Sequence, residues 1–138
     1  MRNKVLWLSR HKPLPAQMQY LRNKLGDFEL IFYWKPLSTA QDAVNLAKEY
    51  GADYIVPVLP LSFIMHLVQE SKKHRFTVLR ADMENVHNCD SENCPEYNPE
   101  TDTIMESRDL NTGQLIRRHF RFRGFKVLKD IKIIEEDW

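Results

Sequence analysis

Glycine is scarce in this chain, with four among 138 residues, and none sits where a phosphate-cradling loop would need it. Neither G-x-x-x-x-G-K-[S/T] nor G-x-G-x-x-G follows the first apolar run, so P-loop NTPase and ordinary dinucleotide chemistry lack support. Ser9 stands in no G-x-S-x-G elbow, which also speaks against a Ser-His-acid hydrolase. Cysteine is scarcer still. Cys89 and Cys94 form a lone close pair rather than a disulfide framework, and reduced thiols in a cytosol are the expectation. No apolar run approaches the roughly 20 residues of a membrane span. The opening Met1-Arg2-Asn3-Lys4 leads into only four apolar residues before Ser9, so the chain reads as soluble, unprocessed and cytoplasmic, with no membrane partner. Charge of one sign is missing too. Twenty Lys and Arg stand against 19 Asp and Glu, a net charge of +1, which leaves only local stripes to attract a polyanion.

What is present is a repeating rhythm of apolar strand, turn and amphipathic helix. Val5-Leu6-Trp7-Leu8 is an unbroken apolar run, the pattern of a central parallel strand buried on both faces. Pro13 and Pro15 then mark a helix start, and Leu14, Met18, Leu21 and Leu25 recur at helical spacing until Gly26. Residues 28–34 (FELIFYW) predict a second strand. Thr39 with Asp42 suggests a capping box opening a second helix that stops at Gly51. Residues 52–56 begin a third strand, which Pro57 requires to be short, bulged or at an edge, and the short form is preferred. Phe63, Ile64, Leu67 and Val68 give a third helix its inner face, and residues 76–79 predict a fourth strand finishing on Arg80 and Asp82.

The length and the 43% hydrophobic content suit one domain, 1–138. Within it, 1–82 reads as a Rossmann-like α/β core, a parallel sheet with flanking helices. Residues 83–102 read as an acidic, cysteine-containing loop. Residues 103–138 read as a β-rich extension: an antiparallel hairpin turning at Leu110-Asn111-Thr112-Gly113, then a further strand over 126–134.

Candidate chemistry gathers at the strand tips, because ligands of open α/β sheets bind beyond the carboxyl ends of the strands. Ser9, Arg10, His11 and Lys12 form the first tip, suited to an anion. Lys35 follows the second strand, Leu59, Pro60, Leu61 and Ser62 the third, and Arg80 the fourth. Against this stands the reading of a solvated basic loop, with Ser62 serving only as a helix cap. His87, Cys89 and Cys94, with Asp90 or Glu92, can supply zinc ligands, although C-x₄-C without a second pair is a poor zinc signature and exposed thiols are the plainer reading. Arg117, His119, Arg121 and Arg123 alternate onto one strand face. That face is either a grip for a nucleic-acid backbone or a salt-bridge ladder with acids such as Glu106 and Asp109.

The first tip, Ser9-Arg10-His11, together with Asp53-Tyr-Ile-Val-Pro-Val-Leu59-Pro60-Leu61, resembles the small CRISPR-associated Rossmann-like ring nucleases. Those proteins carry an S-R-H-type tip followed by a Gly-Asp-apolar-Leu-Pro junction, and the likeness covers about the first eighty residues. It implies a homodimer that binds a cyclic oligoadenylate and cleaves it without metal or other cofactor, the ribose 2′-hydroxyl attacking the neighbouring phosphate. On this reading Ser9, Arg10 and His11 are catalytic, Arg10 or Lys12 supplying charge and His11 the acid. Two other readings stay open: a nucleotide- or nucleic-acid-binding module without catalysis, and a structural or interaction protein.

Overall fold

The structure is a computed structural model that describes residues 2–89 and 94–138, the side chain of Cys89 excepted. Along the chain run β1 (Asn3–Leu8), α1 (Pro15–Leu25), β2 (Phe28–Tyr33), α2 (Ala40–Tyr50), β3 (Tyr54–Pro57), α3 (Leu61–Ser71), β4 (Thr77–Cys89), β5 (Asp102–Arg108) and β6 (Leu115–Val127). The hydrogen-bonded strand order is β2-β1-β3-β4-β6-β5. β1 pairs parallel with β2 and β3, and β3 with β4, while β5 and β6 run antiparallel. The fold is therefore mixed α/β, mostly parallel and Rossmann-like. No helix of the described residues is long and apolar enough to cross a membrane.

Close contacts divide the chain into two compact units. The first comprises Met1–Lys12, Leu25–Arg80 and Lys126–Trp138. Val5, Leu6, Trp7 and Leu8 are all buried, as a strand flanked on both edges and covered by side chains must be. Leu6 and Leu8 join Val44 and Ala47 of α2 and Leu67 and Val68 of α3 in one core cluster. Each large aliphatic side chain buried there contributes about 1.5–3 kcal/mol. α2 begins as its sequence predicts: Thr39 Oγ1 accepts from Asp42 N, and Asp42 Oδ2 accepts from Thr39 N. Gly51 closes it in the left-handed conformation, φ +63. The third strand is short and holds Pro57 at its end, where Val58 N rather than the missing proline donor reaches Leu8 O at 2.8 Å.

The second unit comprises Pro13–Lys24 and Ala81–Phe125. Tyr20 of α1 packs edge-on against Phe122 and Phe125 of β6, with centroids 5.9 and 5.6 Å away. Gly124 is what lets the strand approach, since a Cβ there would sit 3.2 Å from the Tyr20 ring and its φ is +142. The β5–β6 hairpin turns where expected, with Gly113 at φ +72 and its N–H donating to Asp109 O at 2.7 Å.

Two expectations need correction. β4 does not finish at Arg80 and Asp82 but runs for 13 residues from Thr77 to Cys89, so residues 83–89 of the expected acidic loop are strand. Its extension is polar, and its neighbour in the sheet is β6, some thirty residues further on, a pairing that local composition cannot reveal. The strand expected over 126–134 does not form. β6 ends at Val127, Leu128 N donates to Val78 O, and residues 128–138 continue without regular structure. Leu128 and Ile131 settle on the core three residues apart, while Ile134 stays exposed, so the spacing of anchors there is not the twofold period of a strand.

Candidate functional site

The order β2-β1-β3 makes β1 the strand at which the chain reverses its direction of winding. That is where open α/β sheets bind ligands, beyond the carboxyl ends of the strands. A cavity of about 250 Å³ lies there, entirely within the first unit, lined by the exits of β1, β2 and β3 and by the start of α3. Main-chain bonds lock these exits together: Ser9 N donates to Tyr33 O at 3.3 Å and Val58 N to Leu8 O at 2.8 Å. The turn after β1 is pinned twice more. Trp7 Nε1 donates to His11 O at 2.9 Å, and His11 N donates to Ser9 Oγ at 3.0 Å. Arg10 sits inside this fixed turn and lines the cavity.

The lining divides by chemistry. Arg10 and Lys35 are exposed cations; Tyr33, Trp34 and Phe63 are aromatic; and among the described residues no carboxylate takes part. Trp34 leaves 59% of its surface open. α3 adds its amino end. Pro60 stands at its N-cap, no side chain caps it, and Pro60 O takes the N–H groups of Phe63 and Ile64. The first-turn amides therefore leave a partial positive charge beside a basic, aromatic, acid-free concavity.

Of the residues singled out by sequence, Ser9, Arg10, Lys35, Leu59 and Pro60 line this cavity. His11, Lys12, Leu61, Ser62 and Arg80 do not. Ser9 lines the cavity but is nearly buried, and its hydroxyl accepts the His11 amide, which shapes the turn. Arg80 lies within β4, not at a strand tip. Sequence reasoning missed Trp34, Tyr33 and Phe63, whose aromatic character served as strand and core signal; only the convergence of three exits turns them toward one space.

The stripe on β6 is charge-paired. Arg117 Nε bonds Glu106 Oε1 at 3.0 Å, Arg121 bonds both oxygens of Asp102, and Arg123 bonds Glu84. His119 on the same face is fully buried. Of the acids expected to pair with the stripe, Glu106 does so with Arg117, while Asp102 and Glu84 hold Arg121 and Arg123. His87 and Cys94 do meet, Nε2 to Sγ at 3.1 Å. The Cys89 side chain, Asp90 and Glu92 lie outside the described residues.

No protein-family model and no curated protein matches the chain. Among solved structures it is similar to a crystal structure of a HypX variant from Aquifex aeolicus. That match has a TM-score of 0.36 at 15% identity and covers 59% of this chain and 14% of that one. A likeness so slight carries no argument about fold or function.

Proposed function

We propose that the strand-tip cavity is a nucleotide-phosphate site, and that its ligand is a cyclic oligoadenylate cut by attack of its own ribose 2′-hydroxyl. The observation that carries the reading is the lining: two exposed cations and an open indole, with no carboxylate, at the point where the sheet changes winding direction. An adenine stacks on Trp34, and its phosphate meets Arg10, Lys35 and the first amides of α3. In the reaction the 2′-oxygen loses its proton and attacks phosphorus, the 5′-oxygen leaves and takes up a proton, and a 2′,3′-cyclic phosphate results. The chain's contribution is positioning and charge neutralisation by Arg10 and Lys35, with His11 assigned the proton for the leaving oxygen. A cavity of about 250 Å³ falls below the roughly 300–1,000 Å³ that encloses a drug-sized ligand. It suits one nucleotide unit of a ring, the rest of which a second copy of the chain would hold, and this supports the homodimer.

The test is incubation with cyclic oligoadenylates of different ring size in the presence of a chelator, with products separated by chromatography. The proposal expects linear products ending in a cyclic phosphate, slowed strongly by Arg10→Ala and His11→Ala. Rings left intact at stoichiometric protein, with no binding, would overturn it. A second reading, a binding module without catalysis, is favoured by one observation: the His11 imidazole does not line the cavity. Binding without turnover would establish that reading instead.

A further inference from the structure

We infer that His87, Cys94 and His119 form a binding site for a zinc-like divalent metal ion in the second unit. The inference is independent of the strand-tip cavity and rests on where the lone pairs point.

Three ligand atoms crowd together, with a Glu96 carboxylate oxygen beside one of them. His87 Nε2 lies 2.9 Å from His119 Nδ1, 3.1 Å from Cys94 Sγ and 3.3 Å from Glu96 Oε2, and Cys94 Sγ lies 3.7 Å from His119 Nδ1. The other nitrogen of each ring fixes its tautomer. His87 Nδ1 faces Asn88 O at 3.1 Å, a carbonyl that can only accept, so Nδ1 carries the hydrogen and Nε2 presents its lone pair. His119 Nε2 faces Asp102 Oδ2 at 2.6 Å with both side chains fully buried, so Nε2 carries the hydrogen and Nδ1 presents its lone pair. Two imidazole lone pairs and a sulfur thus converge, and the thiol hydrogen is the one donor among them. A single proton bridges one of these contacts. A metal ion satisfies all of them.

The spacing agrees. Bonds of about 2.0–2.1 Å to nitrogen and 2.3 Å to sulfur at tetrahedral angles place donor atoms roughly 3.3–3.6 Å apart. The three separations among His87, Cys94 and His119 bracket that range, and these are the residues whose ligand atoms all lie within 4.8 Å of one another. Two imidazoles and one thiolate are a borderline-soft set that favours Zn²⁺ over Ca²⁺ or Mg²⁺.

The surroundings are those of a metal site. Asp102 orients His119 as a carboxylate orients a metal-bound imidazole. It is itself held by Arg121 Nε and Nη2 at 2.9 and 3.0 Å, Asn98 N at 2.9 Å and Thr101 Oγ1 at 2.6 Å. The ligands come from β4, from β6 and from the segment before β5, so the ion would cross-link strands that are far apart in sequence. A rival reading makes Cys94 a nucleophile served by His119 and Asp102. That reading leaves the second imidazole unexplained, since one base suffices.

The experiment uses the full chain, reduced and stripped with chelator, titrated with Zn²⁺ against a chromophoric competitor and with Co²⁺ in the visible and near-ultraviolet. Expected are one ion per chain, tetrahedral cobalt bands with a thiolate charge-transfer band, and a rise in melting temperature. His87→Ala and Cys94→Ser change half-exposed side chains that the fold can lose. Each is expected to weaken binding by at least about 100-fold, beyond the 10–100-fold typical of outer-shell changes. Absence of stoichiometric uptake by the parent chain would overturn the proposal, as would unchanged affinity in both variants. So would rapid alkylation of Cys94 at the same rate with and without Zn²⁺, which would point to the nucleophile.

Discussion

Replacing Trp34 with alanine separates binding from folding at the strand tips. The indole keeps 59% of its surface exposed, so some 40% of about 250 Å² is covered. At about 25 cal/mol/Å² its loss costs folding no more than about 2.5 kcal/mol, an upper bound because the unfolded chain is itself partly collapsed. Against a usual total of about 5–15 kcal/mol, the variant stays folded. If an adenine stacks on Trp34, truncation forfeits about 1–3 kcal/mol per base, or roughly 5- to 150-fold in Kd. The assay is tryptophan fluorescence. Trp7 is buried and shielded but Trp138 is fully exposed, so the part of the quenching that is lost in Trp34→Ala is what reports on Trp34. Trp34→Ala is expected to lose both that quenching and the affinity, measured independently by calorimetry, while Trp34→Phe keeps most of the affinity. Undiminished affinity in a folded Trp34→Ala protein would refute the stacking argument.

Other perturbations test the fold beneath the site. Leu67→Ala opens a cavity in the core cluster of the first unit and is expected to cost about 2–5 kcal/mol, read as a fall in denaturant midpoint at unchanged slope. Thr39→Ala removes one half of the capping box on α2 and should cost about 0.5–2 kcal/mol by the same measurement, without changing nucleotide affinity. Lys72, hydrogen-bonded to Asp130 Oδ1 at 3.1 Å, pulls that carboxyl below its ordinary value of 3.8. A depressed folded-state value adds stability above 3.8 that disappears as pH falls through the folded value, so the melting temperatures of the parent and Lys72→Met should converge in acid and separate toward neutrality. The gap is expected to be small, because both side chains are about half exposed.

The parallel half of the fold is legible in sequence for local reasons. The run Val5–Leu8 is too apolar to sit anywhere but between neighbours, and Thr39, Asp42 and Gly51 mark the ends of α2 by their own hydrogen-bonding and backbone chemistry. What escapes is non-local. Met83 to Asn88 reads as loop because its strand partner is distant in the chain, and His119 reads as one cation in a basic stripe because nothing local shows that β6 turns it toward His87. The site shows the same division. Arg10 and Lys35 announce themselves as charges after strands, whereas Trp34 and Phe63 look like core until three chain segments place them round one cavity. Ser9 shows a different limit: the sequence offers a hydroxyl beside Arg10 and His11, but not that it accepts the His11 amide and so shapes the turn.

The central claim is that the exits of β1, β2 and β3 hold a nucleotide phosphate. Its most direct test is an amide ¹H–¹⁵N titration of the full chain with a cyclic oligoadenylate, compared with adenosine as a phosphate-free control. The largest shifts are expected at Ser9–His11, Trp34–Lys35 and Val58–Phe63, caused by the oligoadenylate and not by adenosine alone, and abolished by Arg10→Ala. Shifts spread elsewhere, or none at saturating ligand, would contradict it.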